Sequence, residues 1–135
     1  IDPHRQHVDH HSDPSKISPD SYTFDQLFLG RSGNDAIQLD LFFDYRNNVA
    51  LYPEWQAYFR EHQPPTLIVW GQNDPFFTVA GAKAFLRDIP RAELHLLKAG
   101  HFALEEHSGV IANYIKEFLG KREAQLRHCN GLASV

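Results

Sequence analysis

Thr66-Leu67-Ile68-Val69-Trp70 runs through Gly71-Gln72-Asn73 to Asp74, and Glu93-Leu94-His95-Leu96-Leu97 runs through Lys98-Ala99-Gly100 to His101. Both apolar runs are short and rich in branched or aromatic residues, which predicts strands. Between them, residues 79–88 read as a helix. A strand, a helix and a second strand form a parallel crossover unit, because parallel strands cannot be joined by a tight turn. The loops after both strands then open on one rim, where ligands and chemistry gather in open α/β sheets. An acid, Asp74, and an imidazole, His101, are thereby brought to one place from well-separated positions.

A carboxylate bonded to one nitrogen of a histidine fixes its tautomer and leaves the other nitrogen as a base. Such a base needs a nucleophile or a water to activate. No Ser, Cys or Asp sits in a strand-to-helix elbow ahead of these strands. The nearest string, Gly30-Arg31-Ser32-Gly33, is not G-x-S-x-G and follows no strand.

The rest of the chain sorts around this unit. Residues 1–20 are rich in His, Asp, Pro and Ser and read as loop or disordered segment. Residues 22–29 read as a short helix with Ser21 as N-cap, and Arg31-Ser32-Gly33-Asn34 as a turn. Residues 36–46 read as a helix, with Ile37, Leu41 and Tyr45 on one face. A second helix spans 54–61, opened by Pro53 and closed before Pro64-Pro65. The last helix spans 108–119, with Val110, Ile111, Tyr114, Ile115, Phe118 and Leu119 as its buried stripe and Gly120 as its stop. The chain thus divides into a helical segment 1–63, an α/β segment 64–120 and a polar tail 121–135. Two parallel strands make no stable sheet alone, and an all-apolar strand such as 66–70 expects neighbours on both sides.

Composition narrows the partners. At 135 residues with 42% hydrophobic and 13% aromatic content, the chain suits one small domain with a real core. A net charge of −4 with no basic stripe argues against nucleic acid. No apolar run approaches the roughly 20 residues of a membrane helix, so no membrane is expected as a partner. The lone cysteine, Cys129, excludes an internal disulfide and fits a reducing, cytoplasmic compartment.

Here the residues resemble a known family. Trp70-Gly71-Gln72-Asn73-Asp74-Pro75-Phe76-Phe77 resembles the catalytic-acid turn of the α/β-hydrolases, and Ala99-Gly100-His101-Phe102-Ala103-Leu104-Glu105-Glu106 resembles their catalytic-histidine loop. Ile89-Pro90-Arg91-Ala92-Glu93-Leu94 is similar to the lead-in to the family's last strand. The resemblance covers about residues 36–120. It implies the order nucleophile, acid, histidine, with Asp74 and His101 as the last two members. On this resemblance the fold class is α/β: the C-terminal part of an α/β-hydrolase fold, parallel strand-helix-strand-helix, preceded by a helical cap remnant. The chain begins at Ile1 rather than Met, and reads as the C-terminal half of a larger hydrolase. The expected partners are a small-molecule substrate and the N-terminal half that carries the nucleophile; no cofactor or metal is implied.

The resemblance also points to a branch. Asp44-Tyr45-Arg46-Asn47-Asn48 looks like the end of the cap of epoxide hydrolases and haloalkane dehalogenases, where a cap tyrosine faces the nucleophile. Tyr45 is the candidate for substrate binding, as donor to an epoxide oxygen or contact to a leaving halide; packing of the cap is the plainer alternative. In that branch an Asp nucleophile forms an ester, and His101 activates the water that hydrolyses it. A Ser esterase or C–C hydrolase is the alternative chemistry, and the same Asp74 and His101 serve it. A non-catalytic split product and a small flavodoxin-like binding domain are the further alternatives.

Other polar and aromatic groups read as structural. His4, His7, His10 and His11, with Asp2, Asp9 and Asp13, suggest metal by composition, but the prolines around them and the absence of shielding favour a solvated loop. Glu105 and Glu106 suit the dipole at the start of the last helix. Trp55, Tyr58 and Phe59 read as cap core.

Overall fold

The computed structural model describes residues 2–132, and the side chains of 129–132, Cys129 among them, lie outside that description. The central unit is as expected. Strand β1 (Leu67–Gly71), helix α4 (Val79–Asp88) and strand β2 (Glu93–Leu97) form a parallel crossover. Leu67 pairs with Glu93 and Gly71 with Leu97, in unbroken register.

Alternation along the strands assigns the two faces. Val69, His95 and Leu97 share one face, covered by helix α5 (Ala103–Leu132). There Leu97, Ala99 and Ala103 are buried against Val69, Ile111 and Tyr114, and the His95 and Tyr114 rings stack at 3.8 Å. Ile68 and Trp70 point to the opposite face, toward α4 and helix α3 (Asn34–His62). Ala82 and Ile89 are fully buried there. The ends of α3 and α4 are joined at Asp88: Arg60 Nη1 donates to its carboxylate at 2.7 Å, and Gln63 Nε2 donates to its carbonyl at 2.8 Å.

Helix boundaries outside this unit depart from the sequence reading. Residues 1–20 are not simply loop: α1 (Pro3–Val8) and a 3₁₀ turn (Pro14–Lys16) form there. Each starts with proline at its first turn and an Asp cap, Asp2 and Asp13. Helix α2 (Pro19–Leu29) begins earlier than expected, capped by Ser18, not Ser21. The two expected helices 36–46 and 54–61 are one. Pro53 lies inside α3, where it lacks the N–H that would bond to Val49. The Tyr45 and Tyr52 hydroxyls, two turns apart on one face, bond across this stretch.

Past a break at His107 (φ −125°, ψ 29°), the last helix starts where expected, near residue 108, and runs further. It passes through Gly120, which does not stop it. No αL turn forms at Gly120, and a glycine without one is only a weak helix residue, not a terminator. The expected polar tail is therefore helical to Leu132, while residues 133–135 lie outside the described residues. Val110, Ile115 and Leu119, expected in the buried stripe, are 42%, 44% and 58% exposed. Only Ile111 and Tyr114 of that stripe meet the buried cluster under the sheet.

Large apolar side chains remain open on α2 and α3: Phe24, Leu27, Leu39, Leu41, Phe42 and Phe43 are each more than half exposed. Neither helix has a buried residue. Patches of this extent drive association. The 135-residue chain alone is expected to sediment as concentration-dependent oligomers and to bind a hydrophobic dye. A dye-silent monomer in sedimentation velocity would contradict this.

Candidate active site

The two loops after the strands meet because nothing stands between them. A Cβ on Gly71 would lie 2.1 Å from the Gly100 carbonyl oxygen and 2.7 Å from that of Ala99. Only glycine permits this approach. Backbone bonds then stitch the turn to the neighbouring loop: Gln72 N–H donates to Leu97 at 2.8 Å, and Asn73 N–H to Ala99 at 3.0 Å. Asp74 N–H closes the turn on Gly71 at 3.2 Å.

This geometry delivers the expected pair. His101 Nδ1 and Asp74 Oδ2 are 2.9 Å apart. The other carboxylate oxygen, Oδ1, accepts the Phe76 and Phe77 amides at 2.8 and 2.9 Å. The Asp74 side chain is 6% exposed and that of His101 26%. Burial pushes the Asp74 carboxyl up, but the hydrogen bonds from Phe77 N–H, His101 and Phe76 N–H outweigh it and hold the acid below its ordinary value. An ionised carboxylate only accepts, so His101 carries its proton on Nδ1 and presents Nε2 as the base. The rings of Phe76, Phe77 and Phe102 surround the imidazole at 5.1, 5.5 and 4.9 Å between centroids. These phenylalanines were not singled out from sequence as site residues; their adjacency to Asp74 and His101 was the available signal.

The lowered pKa of Asp74 has a consequence for stability. A carboxyl with a lowered folded pKa contributes stability above its unfolded value, about pH 4, and loses it as pH falls through the lower folded value. Wild type and Asp74→Asn should therefore differ in urea midpoint at neutral pH and converge below about pH 4. A difference that persists unchanged at low pH would show that ionisation of Asp74 is not its source.

The histidine-rich segment is not a solvated loop. His7 and His11 are drawn into the protein and pair with Glu105 and Glu106. Burial of the Glu106 carboxyl pushes its pKa up, but Ser12, His11 and the Asp13 amide more than offset this and hold it below the ordinary glutamate value. Glu105 and Glu106 thus do more than complement a helix dipole. Among the described residues, no group of three or more His, Cys, Asp or Glu is arranged to hold a metal ion.

Tyr45 is not brought to the pair. It lies on α3, 47% exposed, with its hydroxyl bonded to Tyr52. Tyr52 in turn lines an open cavity of about 560 Å³ between α3, α4 and β1, with Trp55, Phe59, Trp70, Phe77 and Phe85. Phe77 is shared between this cavity and the wall around His101. Trp55 and Phe59, read as cap core, therefore face a cavity.

Comparison with known proteins agrees with the fold. The family model described as alpha/beta hydrolase fold matches residues 8–108, and the chain belongs to that family. It is 44% identical over 99 residues to a Saccharomyces cerevisiae hydrolase named as uncharacterized, a match covering 73% of this chain and 34% of that protein. It is 36% identical over 73 residues to a 2-hydroxy-6-oxononadienedioate/2-hydroxy-6-oxononatrienedioate hydrolase of Pseudomonas putida, covering 53% of this chain and 26% of that one. An Escherichia coli hydrolase of the same name is 28% identical over 117 residues, covering 78% and 41%. The chain spans about a third of the length of the curated relatives it matches. No solved structure matches. Each of these relatives is a hydrolase by name. No helix among the described residues is long and apolar enough to cross a membrane.

Proposed function

We propose that Asp74 and His101 are the acid and base of a hydrolase triad whose nucleophile is supplied by residues outside this sequence. The observation that carries this reading is the 2.9 Å bond between Asp74 and His101 Nδ1 at adjacent ends of two parallel strands. On this proposal, residues 1–63 belong with a cap, and residues 64–120 with the main domain. The coding sequence upstream of Ile1 then supplies the nucleophile and the donors that stabilise an oxyanion. The polypeptide extended through that sequence is the form in which activity is measured.

For substrate, the proposal is a small organic molecule with an apolar body, cleaved at a carbon–carbon bond next to a carbonyl. The aromatic walls of the cavity beside Phe77 suit such a body. The Pseudomonas and Escherichia relatives, by name, hydrolyse compounds of the 2-hydroxy-6-oxo dienedioate type. The epoxide or carbon–halogen substrate expected from the Tyr45 motif finds no support among the relatives named above. The test is a panel of an oxo-dienoate, a nitrophenyl ester, an epoxide and a haloacid offered to the extended protein. Turnover of the oxo-dienoate above the others is expected. Turnover of the epoxide or haloacid alone would reverse the ranking, and turnover of none would refute the assignment of a triad.

Tyr45 fits this reading as the partner of Tyr52, which lines the cavity. A phenol aimed at a developing oxyanion is worth about 10²–10³-fold in rate. With its hydroxyl engaged by Tyr52, Tyr45→Phe is expected to keep kcat/KM within a few-fold of wild type. A loss of about 10²–10³-fold would instead restore the epoxide or dehalogenase branch.

A further inference from the structure

The loop that carries His101 is covered by the N-terminal segment on both sides of the histidine. On one side lies Gly100. A Cβ there would come 2.8 Å from His11 Cδ2 and 3.0 Å from the Asp9 carbonyl oxygen, so the segment rests directly on the backbone that precedes His101. On the other side lies Phe102, whose ring stacks on that of His7 at 3.7 Å, with planes 6° apart.

Both contacts are tied to the first turn of α5. The His11 and Glu106 side chains are fully enclosed and meet through Nδ1 and Oε2 at 2.8 Å. Glu106 Oε1 accepts the Ser12 hydroxyl and, at 2.9 Å, the Asp13 amide. His7 is held between Glu105 Oε1 at 2.9 Å and Asp25 Oδ2 at 3.0 Å, and Ser21 donates to the other Glu105 oxygen at 3.1 Å. A carboxylate is buried at substantial cost unless donors satisfy it, so three donors from one short segment make Glu106 a fixed anchor.

We infer that Glu106 is a positioning residue for His101, acting through His11 and segment 9–13, which strap the Gly100–Phe102 loop in place. The inference rests on the reading of Asp74 and His101 as a catalytic pair. The strap touches no reacting atom. It fixes the height and tilt of the imidazole by bearing on the residues that flank it, and a displacement of 1 Å at such a group costs about 10²-fold in rate.

The test is proton NMR of the extended protein with ¹⁵N-labelled histidine, following the Nδ1–H of His101 that bonds to Asp74. Asp74→Asn defines the signal by weakening it. In Glu106→Ala the signal is expected to broaden and be lost to exchange while the amide resonances of β1 and β2 stay in place. On the best substrate, kcat should fall by about 10²-fold with KM little changed. Glu106→Gln, which keeps the acceptor oxygen, should restore part of both. If Glu106→Ala does not fold, His11→Ala leaves α5 untouched and carries the same expectation. An unchanged His101 signal in whichever of these variants folds overturns the positioning role while leaving the catalytic pair standing. A signal indifferent to Asp74→Asn overturns the pair itself, and the positioning role with it.

Discussion

Replacing His101 by Ala in the extended protein is expected to lower kcat by about 10⁴–10⁶-fold while leaving circular dichroism unchanged. On the proposed reading, His101 takes a proton from the nucleophile or from the attacking water, through the Nε2 that Asp74 does not use. Its removal leaves only binding and oxyanion stabilisation, so the residual rate is independent of a base. The side chain is partly exposed and packs edge-on against phenylalanines rather than filling a core. Loss of the ring therefore acts on rate before it acts on folding. A kcat within tenfold of wild type would show that another group is the base and that the Asp74–His101 bond is structural.

Asp74→Asn is expected to cost about 10⁴-fold in kcat. The amide of Asn can still accept from Phe76 and Phe77 through its oxygen, so the turn survives. What fails is the bond to the imidazole. The Asn NH₂ donates, which favours the tautomer with a bare Nδ1 and places the proton on Nε2, where the base is needed. The positive charge that develops on the ring also loses its counter-charge. If Asp74 only shapes the turn, Asn replaces it with little loss, and the two roles differ by several orders of magnitude in one assay. The pair of variants is further expected to be non-additive in kcat, because on the proposed reading Asp74 acts on the rate through His101. A double variant slower than His101→Ala by the full Asp74→Asn factor would point to a separate role for the acid.

The parts of the fold that were legible in the sequence are those whose cause is local. The apolar runs at 66–70 and 93–97 could bury themselves only as strands, and residues 79–88 lie between them with a helical period. The observed strands and α4 fall on or within one residue of those positions. Crossover handedness and parallel direction then place Asp74 and His101 together without further information. The helix ends were harder, since Pro53 and Gly120 are local breaking signals that the helices override. Their neighbours on each side favour helix, and α3 and α5 run through them at the loss of one N–H at the proline and some propensity at the glycine.

The sequence by itself thus determined the parallel unit and the meeting of Asp74 with His101. Only the tertiary structure decided what the first thirteen residues do. His7 meets Glu105 across 98 positions and His11 meets Glu106 across 95. Alone, each of these residues reads as a solvated polar group, because a charged or polar side chain carries no periodic signature of burial. Its burial becomes favourable only when a partner arrives from a distant element to replace the water it loses. That exchange is a property of the folded arrangement, and it is what lays a run of histidines against the loop that carries His101.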